Sequence, residues 1–171
     1  MVSHASGLHV HPICQSCPPL VGTWLGWDMK ISEVIKKKGD HVVTIHPSAT
    51  VADMLGILDE YRIGALVVSE DDGATVTGIA SERDIVRALH QRGVGVMQDQ
   101  VRTIMTSEVW TCTSADELQV LAISMTEHRV RHLPVVEDGK LIAIVSIGDV
   151  VKHRLDELET ERNDLVQYMH G

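Results

Sequence analysis

The chain is 171 residues long, 44% hydrophobic and 23% charged, with a formal net charge of −9. That apolar content rules out a disordered polymer and suffices for one compact core, while the acidic excess argues against a nucleic-acid surface, the run Lys36-Lys37-Lys38 being too short to reverse it. No apolar run approaches the roughly 18 residues of a membrane span, and three cysteines without framework spacing suit a reducing cytoplasm.

Met1 to Trp27 carry no Lys, Arg, Asp or Glu and show neither helical nor strand periodicity. Residues 1–28 are therefore expected to be disordered or a non-native extension, with translation starting at Met29. A basic leading segment is missing and Pro18-Pro19 interrupts the apolar stretch, which argues against a signal peptide. His9, His11, Cys14 and Cys17 form a soft cluster that suits zinc but lacks the second pair of a finger. Lys30 to Ile35 then opens a linker helix assigned to residues 29–42.

From Val43 the sequence repeats. Residues 43–93 match 109–158, with Thr44 paired to Thr111, Val51 to Leu118, Arg62 to Arg129, Ser81 to Ser146 and Asp84 to Asp149. The offset falls from 67 to 65 across an acidic turn, where insertions are absorbed. A repeat of this length marks one supersecondary unit packing on its copy. Each copy opens with a short strand (Val42 to Ile45; Val109 to Cys112). A helix follows: Thr50 caps Val51, Met54, Leu55 and Leu58, and Ser114 precedes Leu118, Leu121, Ala122 and Met125. Two strands come next, Ala65 to Val68 with Thr75 to Ala80, and Leu133 to Val136 with Leu141 to Val145. A second helix closes each copy, with Ser81 or Ser146 at its N-cap. The order is β-α-β-β-α, twice, in an α/β (α+β) fold. Residues 94–108 link the copies, with a loop over Gln91 to Val96 and a short helix over Val101 to Met105. After Asp149 the helical pattern runs on through an extension at 159–171. Val151, Leu155, Leu158, Leu165 and Met169 form its apolar stripe, set either to cross onto a second subunit or to pack on its own module.

The run Gly78-Ile79-Ala80-Ser81-Glu82-Arg83-Asp84 resembles the signature of a CBS domain, and Ala143-Ile144-Val145-Ser146-Ile147-Gly148-Asp149 departs from it only at the leading glycine. Arg62 to Val68 and Arg129 to Val136 are similar to the family's stretch before its central strand. Together these cover about two-thirds of the chain. The resemblance implies two CBS motifs packed through their sheets into one disc-shaped module, which pairs with a second module and binds adenine nucleotides in clefts between the repeats.

The chemistry of Ser-x-x-Asp agrees with that implication. A ribose needs a carboxylate to accept from its hydroxyls, and a helix N-terminus with a hydroxyl donor suits a phosphate. The same pattern is also a plain helix cap, but its recurrence after the same strand in both copies favours a ligand. The resemblance then implies two sites. In the second, Asp149 takes the ribose, Ser146 with Arg131 and His132 takes the phosphate, and Thr111 meets the base among Cys112, Val130 and Pro134. In the first, Asp84 takes the ribose, Ser81 and Arg83 the phosphate, and Thr44 the base between Ile45 and Ile63, with Gly64 and Ala65 leaving a roomier entry. AMP is expected at the second site and a longer ligand, such as NAD(H), at the first.

Catalytic patterns are missing. His128 and His132 are four apart, but Arg129 stands where a zinc protease places glutamate, and neither a Gly-x-Ser-x-Gly nor a phosphate loop occurs. The expected protein is a regulatory adenine-nucleotide-binding module, not an enzyme, without catalytic cofactor or metal. It senses AMP/ATP or NAD(H), signals to an unknown partner, and dimerises through Leu55, Leu58, Leu121 and Met125. The rivals are a structural dimerisation module with vestigial sites, and a metal-binding or redox protein using the N-terminal cluster.

Overall fold

The structure, a computed structural model, describes residues 10–12, 29–39 and 42–170. Among them the elements run β1 (Val10–Pro12), α1 (Ile31–Lys38), β2 (Thr44–Ile45), α2 (Val51–Tyr61), β3 (Ala65–Val68), β4 (Gly78–Ser81), α3 (Glu82–Arg92), β5 (Val109–Thr111), α4 (Leu118–Glu127), β6 (His132–Glu137), β7 (Lys140–Ser146) and α5 (Ile147–His170). The twofold β-α-β-β-α order is present, and the linker between copies holds two 3-10 segments, Val94–Gln98 and Val101–Thr103. No described helix is long and apolar enough to cross a membrane.

Local chemistry sets the boundaries. Asp53 N–H donates to Thr50 Oγ1 at 3.1 Å while Thr50 N–H donates to Asp53 Oδ2 at 3.0 Å, a reciprocal cap that starts α2. Val51, Met54 and Leu58 then bury one face. Arg62 and Arg129, both with φ near 55°, turn the chain out of α2 and α4 into the next strand. The second strand of the first copy was expected from Thr75 but begins at Gly78. Asp71 is the cause: its carboxylate accepts from Thr75 N–H and Oγ1 at 2.8 Å and from Ser69 Oγ at 2.7 Å, holding the acidic loop closed. In the second copy Asp138 and Gly139, both at positive φ, make a two-residue turn, and β7 runs the full length to Ser146.

β3 pairs in parallel with β2 and antiparallel with β4, while β6 and β7 form an antiparallel ribbon that Cys112 joins through a parallel bridge to Val135. The sheets of the two copies meet in a shared apolar layer, with Val67 and Val76 from one and Val109 from the other at its centre. Outside this layer each copy has its own helix-covered core, and each core is completed by the segment that precedes the other copy. Ile31 and Val34 of α1 are buried in the second core, and Val101 in the first. Leu118, Ile31 and Ser32 N–H groups donate to Met29, Asp116 and Ser114 carbonyls at 2.9–3.0 Å. Val51, Val101 and Arg102 donate to Asp99, Ala49 and Pro47 at 2.9–3.1 Å in the same pattern. The matched linker residues are thus 70 apart.

Two expectations are corrected. Residues 1–28 do not all stand outside the fold, because Val10–Pro12 pairs in parallel with β5, Val10 opposite Val109 and Pro12 opposite Thr111. Such pairing uses backbone groups at a sheet edge and needs no side-chain alternation, which is why no periodicity announced it. The zinc cluster otherwise lies outside the described residues. Of the expected dimer face, Leu58, Leu121 and Met125 are buried in their own cores and only Leu55 is exposed.

Because Ile31 is a core residue of the second copy, Ile31→Ala is expected to destabilise the protein by about 2–5 kcal/mol. Urea unfolding reads this, and an unchanged midpoint would remove α1 from the core.

Candidate functional site

After the left-handed turns at Arg62 and Arg129, the segments Gly64-Ala65 and Arg131-His132 arrive side by side. A Cβ on Gly64 would stand 3.6 Å from His132 Cε1 and 3.7 Å from Glu82 Oε2, which places this backbone within van der Waals reach of the imidazole. Beside this contact lies a cleft of about 480 Å³. Its first wall is the start of α3, with Ser81, Glu82, Arg83, Asp84 and Arg87. Its second wall comes from the other copy, with Glu108, Trp110 and the run His128 to Leu133. Ala65, Ile79, Val109 and Leu133 give it an apolar lining.

Both Ser-x-x-Asp runs are closed caps. Asp84 Oδ2 accepts from Ser81 N–H at 2.9 Å and Ser81 Oγ at 2.6 Å, and Asp149 Oδ2 accepts from Ser146 N–H at 2.7 Å and Oγ at 2.8 Å. Each serine proton is therefore committed to the carboxylate. In this arrangement Ser81 and Ser146, expected at the phosphate, orient their aspartates. Asp84 keeps Oδ1 for another donor, its nearest cation being Arg87 at 4.0 Å.

The second carboxylate differs. Lys38, the last residue of α1, places its ammonium 2.7 Å from Asp149 Oδ2 and 3.0 Å from the Ile144 carbonyl. In the first copy the matching Ile79 carbonyl accepts instead from Thr106 N–H at 2.9 Å. That backbone approach needs Gly78, whose Cβ would meet Met105 Sδ at 2.8 Å. Burial alone would raise the Asp149 carboxyl, but Lys38 and the Ser146 donors outweigh it and hold it below the ordinary value. Seventy residues on from Lys38 stands Glu108, on the wall of the open cleft.

Residues grouped by copy in the sequence are thus regrouped across the copies. Gly64, Ala65, Ser81, Arg83 and Asp84, expected in the first site, line the same cleft as Val130, Arg131 and His132, expected in the second. The other expected residues do not line it. Ile45, Thr111, Cys112 and Pro134 are buried. Thr44 and Ile63 are half-buried, Thr44 against Gly73 and Ile63 against the first core. Ser146 and Asp149 belong with Lys38. Burial, then the Asp116 carboxylate, pushes the Cys112 thiol far up and disfavours its thiolate. Among the described residues no three His, Cys, Asp or Glu side chains gather as metal ligands.

Sequence reasoning missed Arg87, Thr106, Glu108, Trp110, His128 and Arg129. Trp110 and His128 stack with ring centroids 3.9 Å apart and planes 15° from parallel, an aromatic wall where the first copy has Val43 and Tyr61. The usable signal was the repeat itself, since residues flanking a shared interface must come from both copies. Arg83, Arg129, Val130 and Arg131 also line a second cavity of about 350 Å³, reaching Met125 and Ile147. None of these three arginines forms an ion pair among the described residues. Burial, then Lys38, holds His132 below the ordinary imidazole range against the opposing pull of Asp149 and Glu82.

Comparison with known proteins agrees with this architecture. The chain is 34% identical over 148 residues to the CBS domain-containing protein CBSX3, mitochondrial, of Arabidopsis thaliana, covering 82% of this chain and 72% of that protein. A CBS-domain protein of Agrobacterium tumefaciens has a crystal structure that superposes with TM-score 0.71 at 40% identity, over 74% of this chain and 99% of that one. A CBS domain protein of Pyrobaculum aerophilum complexed with AMP superposes with TM-score 0.61 at 28% identity, over 71% and 89%. The CBS domain model matches residues 31–91 and 101–156, so the chain belongs to the CBS domain family and carries two copies of that domain in tandem.

Proposed function

We propose that the chain is a regulatory module that binds a phosphorylated adenosine ligand in the cleft between its two CBS copies and reports occupancy to a partner protein. The carrying observation is that Asp84 Oδ1, with only the long 4.0 Å pair to Arg87, stands on one wall while Arg83, Arg129 and Arg131 line the same cleft. Although Glu82, Asp84 and Glu108 share the cavity, Arg83, Arg129 and Arg131 form no ion pair among the described residues, which leaves their guanidinium donors available to a phosphate. Asp84 accepts from the ribose hydroxyls, the arginines take phosphate, and Trp110 offers a face to the base. AMP is the smallest ligand of this kind, and the complex of the Pyrobaculum protein with AMP supports the class. The adjoining cavity behind Arg83 and Arg129 extends the frame to ATP or NAD(H). A regulatory rather than catalytic role accords with the family, and we assign the protein to a reducing compartment such as the cytoplasm. A dimerisation module with vestigial sites is the rival, and it predicts no ligand response.

Asp84→Ala is expected to weaken AMP binding by roughly 1.5–3 kcal/mol, with a much smaller effect from Asp149→Ala. Isothermal calorimetry that ranks the two variants the other way would return the site to the second copy's own carboxylate. If neither variant nor wild type responds to AMP, ATP or NAD(H), the rival stands.

The pH dependence follows from His132. Its folded value lies below the ordinary 6.5, and a phosphate bound beside it favours the imidazolium, so binding takes up a proton. Affinity is expected to rise as pH falls from 7.5 toward 6, and His132→Gln should flatten that slope.

Lys38→Met should free Asp149 and let its carboxyl titrate higher, toward 3.8. A partly exposed ion pair is worth up to about 1 kcal/mol, so the variant should unfold at nearly the same temperature. Carboxylate NMR titration checks the first effect and calorimetry the second.

A further inference from the structure

The last turns of α5 leave the module entirely. Val150 and His153 are buried against the second core, but residues 159–169 are all exposed. The helix therefore does not fold back on its own module, one of the two outcomes expected for its stripe. A free overhang of this length is marginal as an isolated helix in water. It also presents large apolar side chains: Leu155 is 57% exposed, Leu165 66% and Met169 74%. With Val151, Leu158 and Arg162 these fall at spacings of 4, 3, 4, 3 and 4, the alternation of a two-stranded coiled coil, with Leu155, Arg162 and Met169 at a and Val151, Leu158 and Leu165 at d.

We infer that α5 pairs in antiparallel fashion with α5 of a second copy of this chain, about a twofold axis at Thr160. In that register every a position meets a d position. Val151 lies opposite the second copy's Met169, Leu155 opposite its Leu165, and Leu158 opposite its Arg162. The charges decide the direction. A parallel in-register pair brings Arg162 of each copy against the other in one a layer, a like-charge contact in the middle of the seam. The antiparallel pair instead seats each Arg162 against leucine and beside the Glu159 and Glu161 carboxylates that the axis at Thr160 gathers from both copies, so the two guanidinium groups offset a cluster of four acids. Within one chain Arg154 already leans toward Glu157 at 3.3 Å and Glu161 at 3.9 Å, so the acidic and basic positions share a flank of the stripe. Helices of 24 residues span about 36 Å. The two modules then sit at opposite ends of the pair, each overhang covering the exposed Val151, Leu155 and Leu158 of the other copy. The surface is separate from the cleft and does not depend on what the cleft binds.

Disulfide mapping tests the register. In the full chain with Cys14 and Cys17 replaced by serine, Leu155→Cys and Leu165→Cys are introduced into separate, mass-tagged preparations. On mixing and mild oxidation the 155–165 cross-linked dimer is expected as the dominant product, with little product from either variant alone. If each variant cross-links with itself and the mixture gives no cross product, the antiparallel register is overturned. If none forms and light scattering shows no association through α5, the surface itself is overturned. Two further variants lie outside the packed module and should leave its thermal unfolding unchanged. Leu165→Glu should weaken self-association at least tenfold and Arg162→Leu should strengthen it at least tenfold by sedimentation; no change in either overturns the seam.

Discussion

Everything in this module depends on the exchange of leading segments between its copies. Neither β-α-β-β-α unit closes its own core: Ile31 and Val34 seal the second and Val101 seals the first, each tied by three backbone hydrogen bonds in the same pattern. Backbone groups entering a core must be paired, so apolar burial and hydrogen bonding here demand the same placement. The shared layer around Val67 and Val109 then fixes the sheets against each other. The cleft built from both copies lies beside this shared layer, with Ile79 and Val109 common to both. A residue such as Ile31, far from the cleft in sequence, supports the wall that carries Arg131 and His132.

On that nearly twofold frame, electrostatics makes the two halves unlike. Equivalent carboxylates, Asp84 and Asp149, are oriented by equivalent serines. Around them the linkers carry opposite charges at matched positions, Glu108 beside the open cleft and Lys38 against Asp149. Asp149 is neutralised by a resident ammonium, whereas Asp84 is flanked by acids and faces a wall that carries arginines. The difference between the halves thus rests on a few side chains at their rim rather than on their folds.

Much of this was legible from residues alone. The repeat, the capped helices and the hydrophobic faces of α2 and α4 follow from period and punctuation, which are local properties. The Ser-x-x-Asp runs were legible as special because they recurred, and in both copies the serine orients the aspartate. What was hidden is what depends on distance in space. Asp84 lines one cleft with Arg131 and His132 across an interface that no periodicity encodes, and Lys38 reaches Asp149 across 111 positions of sequence. The pairing of Val10–Pro12 with β5 was invisible for a related reason, since edge pairing is carried by backbone groups that every residue shares. Asp71 is an intermediate case: an Asp among Ser and Thr in a turn is a readable signal, but how far it shortens the next strand depends on the loop's closure.

The exchanged linkers also describe how such a molecule arises. Two copies of a single-repeat chain, each lending its leading segment to the other, make a domain-swapped homodimer with two identical clefts. Joining those copies end to end, as this chain does, turns the partner into a tethered one, so the swap holds at any dilution. It also lifts the symmetry. In a homodimer one substitution changes both halves together, whereas in the fused chain Lys38 and Glu108 vary independently, and the surroundings of one carboxylate can change while those of its twin stay as they were.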